Sequence, residues 1–213
     1  MRCTSLLLIG LIAAGGVLWL WHTNESSQNR RSAGRALEGI TWNHSHVRTE
    51  SGDTLLSIDS LPDTVRVSAD AQFGSPDRFT GAALSPDSSW LALSLAGEVH
   101  AFGWLYDLSA ETGSPVAFQY GGEVEFDSWS PDGRFATFVQ RSPAPTSVIK
   151  LVDRQRIGSL ISTTGRVIDV DAEETLDPPY AYRIDRWEAP HTLCFRLAGR
   201  EYCMDVETHE IVR

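Results

Sequence analysis

Residues 79–97, FTGAALSPDSSWLALSLAG, and residues 124–142, VEFDSWSPDGRFATFVQRS, decide the fold. Both carry a Ser-Pro-Asp element, Ser85, Pro86 and Asp87 in the first and Ser130, Pro131 and Asp132 in the second, 45 residues apart. Each element is followed by an alternating apolar run and then by a second run that ends in aspartate, Asp107 after GWLY and Asp153 after VIKLV. Proline fixes φ and removes a backbone donor, and Gly133 supplies a positive φ, so the spacing predicts a strand that breaks and turns back as a hairpin. Trp129 with Phe135 or Phe138 would then cover one face of a small sheet. From Ile184, IDRWEAPHTLCFRLAGREYCMD repeats the apolar-Asp-x-Trp start of FDSW at residues 126–129 and again ends in aspartate, Asp205. It has Ala189, Pro190 and His191 in place of the Ser-Pro-Asp turn. Self-similarity at this period is the mark of a repeat architecture.

Outward from the repeats, short β-prone runs separated by turn residues begin at Ile40 with ITW, TLLSI and TVRVSA and continue to TLCFRL at residues 192–197. No later segment shows the 3.6-residue periodicity of a long amphipathic helix, so this part of the chain reads as all-β. The repeats divide it at about residues 79–123, 124–179 and 180–213.

WSPDGRFATF followed by VIKLVD closely resembles the WD40-like repeat in the propeller domain of TolB-type periplasmic proteins and in propellers attached to prolyl oligopeptidase-like enzymes. The resemblance is good over residues 79–153 and poor over residues 180–213. It implies four-stranded blades whose first two strands are joined by the Ser-Pro-Asp-Gly turn. One blade would use strands near residues 80–84, 90–95, 101–107 and 115–119, and the next would use 124–129, 134–140, 147–152 and 157–162. Propellers close with about 4 to 8 blades, whereas three units are recognisable here. A small array completed by residues 40–74, an incomplete array with extra strands and an unrelated sandwich all remain open. An incomplete array would expose apolar side chains at its ends, Phe73 and Phe79 at one and Leu193, Phe195 and Tyr202 at the other, and would associate with itself or another protein.

The amino end bears on location. Residues 3–21, CTSLLLIGLIAAGGVLWLW, carry no charge, and as a helix they would extend about 29 Å, the thickness of the hydrocarbon core. Residues 1–23 are expected to be a transmembrane signal anchor, with a cleaved signal as the alternative, and the polar residues 24–39 a flexible linker. The expected fold class is therefore an all-β, propeller-like array of antiparallel sheets, residues 40–213, preceded by a transmembrane helix. The domain would be membrane-anchored on the extracytoplasmic side, or secreted if the signal is cleaved.

The 213-residue chain has 28 acidic and 18 basic side chains, a net charge of −10, and Lys150 as its single lysine. Without a basic cluster it is not expected to bind nucleic acid. Cys194 and Cys203 stand directly opposite if Leu197 pairs with Arg200 around Ala198 and Gly199. That register also brings together Phe195 with Tyr202 and Arg196 with Glu201, so a structural disulfide is expected, and with it an oxidising compartment. His44 and His46 share a strand face but lack further ligands. The acidic run at residues 168–177 lacks the glycine and glutamate of a calcium loop. No metal or cofactor site is assigned. No nucleophile elbow, zinc-protease pair or phosphate loop occurs, and carboxylates such as Glu123, Glu125 and Asp127 have no defined role. The chain reads as a membrane-tethered, non-catalytic interaction or scaffold module. The alternative is a module that processes carbohydrate or peptide at the central face of the array.

Overall fold

The computed structural model describes residues 39–170 and 181–212, and every strand in them belongs to an antiparallel meander. β1 (Ile40–Trp42), β2 (His46–Thr49) and β3 (Thr54–Ser57) form the first sheet, and β4 (Thr64–Arg66) with β5 (Gln72–Gly74) form a hairpin. A four-stranded sheet follows, of β6 (Arg78–Leu84), β7 (Trp90–Ala96), β8 (His100–Asp107) and β9 (Thr112–Tyr120). The next comprises β10 (Glu123–Trp129), β11 (Phe135–Arg141), β12 (Ser147–Asp153) and the two-residue β13 (Arg166–Val167). β14 (Tyr182–Ala189), β15 (Thr192–Leu197) and β16 (Arg200–Asp205) form the last. Ile211 adds a single bridge to Met204 at its edge.

Strand alternation explains the packing. Successive side chains point to opposite faces, and in the β6–β9 sheet both faces are apolar. Leu91, Leu93, Leu95, Phe102 and Trp104 pack on one face against Ile40, Val47, Leu56 and Val65 of the amino-terminal strands. Ala92, Ala101, Leu105 and Ala117 on the other face meet Val124, Ala136, Phe138 and Val152 of the β10–β13 sheet. Small residues at this seam let the two sheets approach: the Phe138 ring lies so near Gly103 that a Cβ there would fall 2.7 Å from Cδ1. The Ser94 hydroxyl crosses the same seam to accept the Phe126 N–H at 2.8 Å. Phe135, Ile149 and Leu151 then pack against Leu193, Phe195, Leu197 and Met204 of the last sheet. The sheets therefore stack in chain order, each interface burying a face that alone would stay in water.

Residues 157–162 do not form the strand expected of them. The chain instead makes 3-10 turns at Arg154–Arg156 and Ile161–Thr163, and the fourth strand is supplied by β13. The buried Thr164 hydroxyl holds this excursion together by accepting Gly158 N–H and donating to Leu160 O. Ile161 is thereby inserted into the core beneath the amino-terminal strands, and Ser162 N–H donates to Val67 O. Lys150, buried on β12, reaches the same turn with Nζ 3.4 Å from Ile161 O, and burial lowers its pKa.

Two further expectations are corrected. Neither end of the stack shows the apolar surface foreseen for an incomplete array. Residues 40–74 cover the outer face of the β6–β9 sheet, and Leu193, Phe195 and Tyr202 turn inward toward the β10–β13 sheet. The outward face of the last sheet is instead charged, with Arg196 paired to Asp185 and Arg186 to Glu188 and Glu201. The fold class also stands as all-β alone. Among the described residues no helix is long and apolar enough to cross a membrane, and the stretch at residues 3–21 lies outside them. The described residues therefore give no support to the expected transmembrane helix, membrane tether or membrane-anchored location.

Candidate functional site

The two Ser-Pro-Asp turns have matching hydrogen-bond networks. In the first, Ser85 Oγ donates to Asp87 Oδ1 at 2.5 Å and accepts Trp90 N–H at 3.0 Å. In the second, Ser130 Oγ donates to Asp132 Oδ1 at 2.6 Å and accepts Phe135 N–H at 2.9 Å. Both serines are buried, and each satisfies the N–H of a residue at the start of the returning strand. Gly133 has φ +71° where the first turn places Ser88 at +56°. Ser130→Ala is expected to cost about 1–3 kcal/mol, because the buried Phe135 N–H loses a partner. Urea denaturation measures the loss, and stability within 0.3 kcal/mol of the parent, a margin set at roughly a quarter of one hydrogen bond, would contradict it.

The turns lie along one rim of the stacked sheets, at the strand ends, with the aspartates that close the third strands. Asp107 Oδ1 accepts from Ser109 N and Oγ, Asp153 Oδ1 from Gln155 N, and Asp205 Oδ1 from Glu207 N and Thr208 N. Arginines of the middle unit tie this end to its neighbours. Arg154 reaches Asp87 at 2.7 Å, and Arg134 contacts both Asp153 at 2.8 Å and Glu207 at 2.5 Å. His191, in the tight turn that replaces Ser-Pro-Asp, places Nδ1 3.8 Å from Glu207 and its ring edge-on to Phe135.

Hydrogen bonds and ion pairs hold Asp87, Asp107, Asp132 and Asp205 ionised. The Arg154 guanidinium keeps the Asp87 carboxyl well below the ordinary range, and the Ser109 hydroxyl lowers Asp107. At Asp132 burial opposes ionisation, but the Ser130 hydroxyl and Arg134 N–H outweigh it. Backbone donors, Thr208 N–H foremost, lower Asp205. Groups held this way are caps and ion-pair partners rather than proton donors at neutral pH. A depressed folded-state pKa makes the Asp87 contribution complete above about pH 4 and lost as the pH falls through the folded value. The side chain is partly exposed, so that contribution is about 1 kcal/mol at most. Arg154→Ala should lower stability at neutral pH and flatten its decline in acid, as measured by denaturation across pH. An unchanged acid slope would contradict the assignment.

Cys194 and Cys203 are joined as a disulfide, with Leu197 opposite Arg200 and Phe195 opposite Tyr202. Arg196 stands opposite Glu201 but pairs at 2.7 Å with Asp185, which a bulge in β14 brings to the same face. Glu188 lies near both sulfurs, yet their covalent bond leaves no thiolates to ligate a metal. His44 gives its backbone carbonyl to Phe79 N–H. Of the acidic run, residues 171–177 lie outside the described residues. Asp127 sits in a bulge of β10 and accepts the Ser128 hydroxyl at 2.7 Å; Ser128 Oγ also accepts Trp187 Nε1–H at 3.1 Å, joining the last two sheets.

Sequence reading passed over the opposite end of the β6–β9 sheet. His100 and Tyr120 are directly opposite on β8 and β9. Phe73 from β5 packs on Phe118 at 4.5 Å between ring centroids and lies 5.8 Å from His100 and 6.2 Å from Tyr120. His100 Nε2 lies 3.0 Å from Gly74 O, which fixes the imidazole over β5. Gly121 N–H donates to Val99 O at 2.7 Å, bringing the two loops at this end together. The inner rings are half-buried, whereas Val99 is 50% and Tyr120 60% exposed. Three separate segments, at residues 73–74, 99–100 and 118–121, supply these residues, so no sequence motif announces them.

No family model and no curated protein matches the chain. Among solved structures, it is similar to the Dos1 propeller, at 13% identity and TM-score 0.43 over 79% of this chain and 41% of that one. It is similar to TolB from Acinetobacter baumannii, at 13% identity and TM-score 0.39 over 94% of this chain and 59% of that one. Oligopeptidase B from Trypanosoma brucei is similar at 15% identity and TM-score 0.31, over 82% of this chain and 32% of that one. The chain spans less than two thirds of each of these structures. The all-β chain thus has a distant likeness to propeller and TolB-like structures, too remote to bear on function.

Proposed function

We propose that residues 40–213 form a non-catalytic protein-interaction module, a partial array of WD40-like, TolB-type repeats that presents the end bearing Tyr120 to a partner. The aromatic cluster carries this reading: Tyr120 and Val99 expose apolar surface on a base of packed rings that costs little ordering to bind. The shifted rim carboxylates support it from the other side, since they are occupied as turn caps and inter-sheet ion pairs. The disulfide fits an oxidising compartment.

The reading is tested by co-purification of the full chain from its native host, comparing the parent with Tyr120→Ala and Val99→Asp. A protein retained by the parent and lost from both variants, with their thermal stability unchanged, is the expected result. Equal retention by all three would contradict it.

A further inference from the structure

Resting on that interaction reading, we propose that the end formed by Tyr120, Val99, Glu98 and Glu123 binds an arginine-bearing segment of the partner protein. The loop at residues 97–99 and the turn at residues 121–122 are held together by the bond from Gly121 N–H to Val99 O. Glu98 is next to Val99 in the first, and Glu123 begins the strand that leaves the second. Both glutamates are exposed, and neither makes an ion pair among the described residues. Arg141, directly across β11 from Glu123, is committed to Glu125 at 2.6 Å. The nearby Arg78 is held by Asp77 at 2.7 Å. The exposed Tyr120 therefore shares this turn region with two glutamates that have no ion-pair partner among the described residues, Glu123 three residues further on and Glu98 next to the Val99 that Gly121 bonds, in a chain of net charge −10.

This chemistry selects arginine. A guanidinium is planar: it can stack on the Tyr120 face while its edge donates to a carboxylate, whereas an ammonium is a compact, strongly hydrated point charge. Phe73, 6.2 Å from the Tyr120 ring, and the exposed Val99, whose carbonyl accepts Gly121 N–H, offer apolar surface for the side-chain stem. Phe73 packs against the Tyr120 ring and is itself backed by Phe118 and His100, so the stacking face is supported before a ligand arrives.

The test uses the full chain and three peptides, Gly-Arg-Gly-Arg-Gly and its lysine and citrulline counterparts, with affinity measured by calorimetry or fluorescence. The arginine peptide should bind at least about fivefold more tightly than the lysine peptide, and more tightly still than the citrulline peptide. Tyr120→Ala and the double variant Glu98→Gln, Glu123→Gln should each remove most of that preference, while Asp70→Asn, elsewhere on the surface, should not. Tyr120→Leu separates stacking from apolar burial, since it keeps bulk but loses the ring. Equal binding of arginine and lysine peptides, or a preference that survives Tyr120→Leu, overturns the arginine assignment. A host partner that depends on Tyr120 and Val99 but is indifferent to Glu98 and Glu123 would overturn it too, and leave the interaction reading intact.

Discussion

Phe138→Ala is expected to destabilise the protein by about 3–5 kcal/mol, the usual cost of removing a fully buried aromatic ring. Phe138 is 0% exposed, packs edge-on to Phe126 at 5.6 Å, and fills the space that Gly103 leaves on the neighbouring sheet. Its loss opens a cavity at the seam between β6–β9 and β10–β13. The ladder bonds within each sheet can survive while the face-to-face contact weakens. Chemical denaturation measures the effect, and a loss below about 1 kcal/mol, small for any buried aromatic, would mean that the sheets do not meet through this ring. Gly103→Ala probes the seam from the other side, because its Cβ would force the Phe138 ring to move.

Gly122→Ala should be of comparable severity for a backbone reason. A Cβ at Gly122 would lie 2.0 Å from the Arg141 carbonyl oxygen. A backbone atom cannot swing aside as a flexible side chain does, so the connection from β9 to β10 and the pairing of Glu123 with Arg141 must both shift. Overpacking of this kind costs about 3 kcal/mol, the upper part of its ordinary range. The thermal midpoint should fall by several degrees; for a domain of this size about 2–4 °C corresponds to each kcal/mol. A midpoint within a degree of the parent would contradict the placement of this turn.

The sequence carried the repeat itself in plain view. Ser85 and Ser130, their aspartates and the strand-end Asp107, Asp153 and Asp205 are local features, and local turn chemistry decides their geometry. The opposed positions of Cys194 and Cys203 follow equally from the hairpin register around Ala198 and Gly199. What lay hidden depends on tertiary choice. Ile161 looks like a strand residue, but it is buried among the amino-terminal strands rather than in its own sheet, and a 3-10 excursion replaces the strand. The pairing of Arg196 with Asp185 requires a β-bulge that alternation alone does not reveal. Which sheet face meets which neighbour was equally hidden: Leu193, Phe195 and Tyr202 alternate as they would on a free outer face, yet they close the last interface. The aromatic end draws on residues 73, 99, 118 and 120, which only the folded meander assembles.

Site-specific photocrosslinking tests the interaction account most directly. A photoreactive phenylalanine analogue is placed at Tyr120 in one full-length variant and at Ser109, beside the opposite rim, in another, and both are expressed in the native host. A discrete protein adduct formed at position 120, absent at position 109 and competed away by the arginine peptide is the predicted result. Adducts at position 109 alone, or none at position 120 in a folded variant, would contradict the assignment of this end as the binding surface.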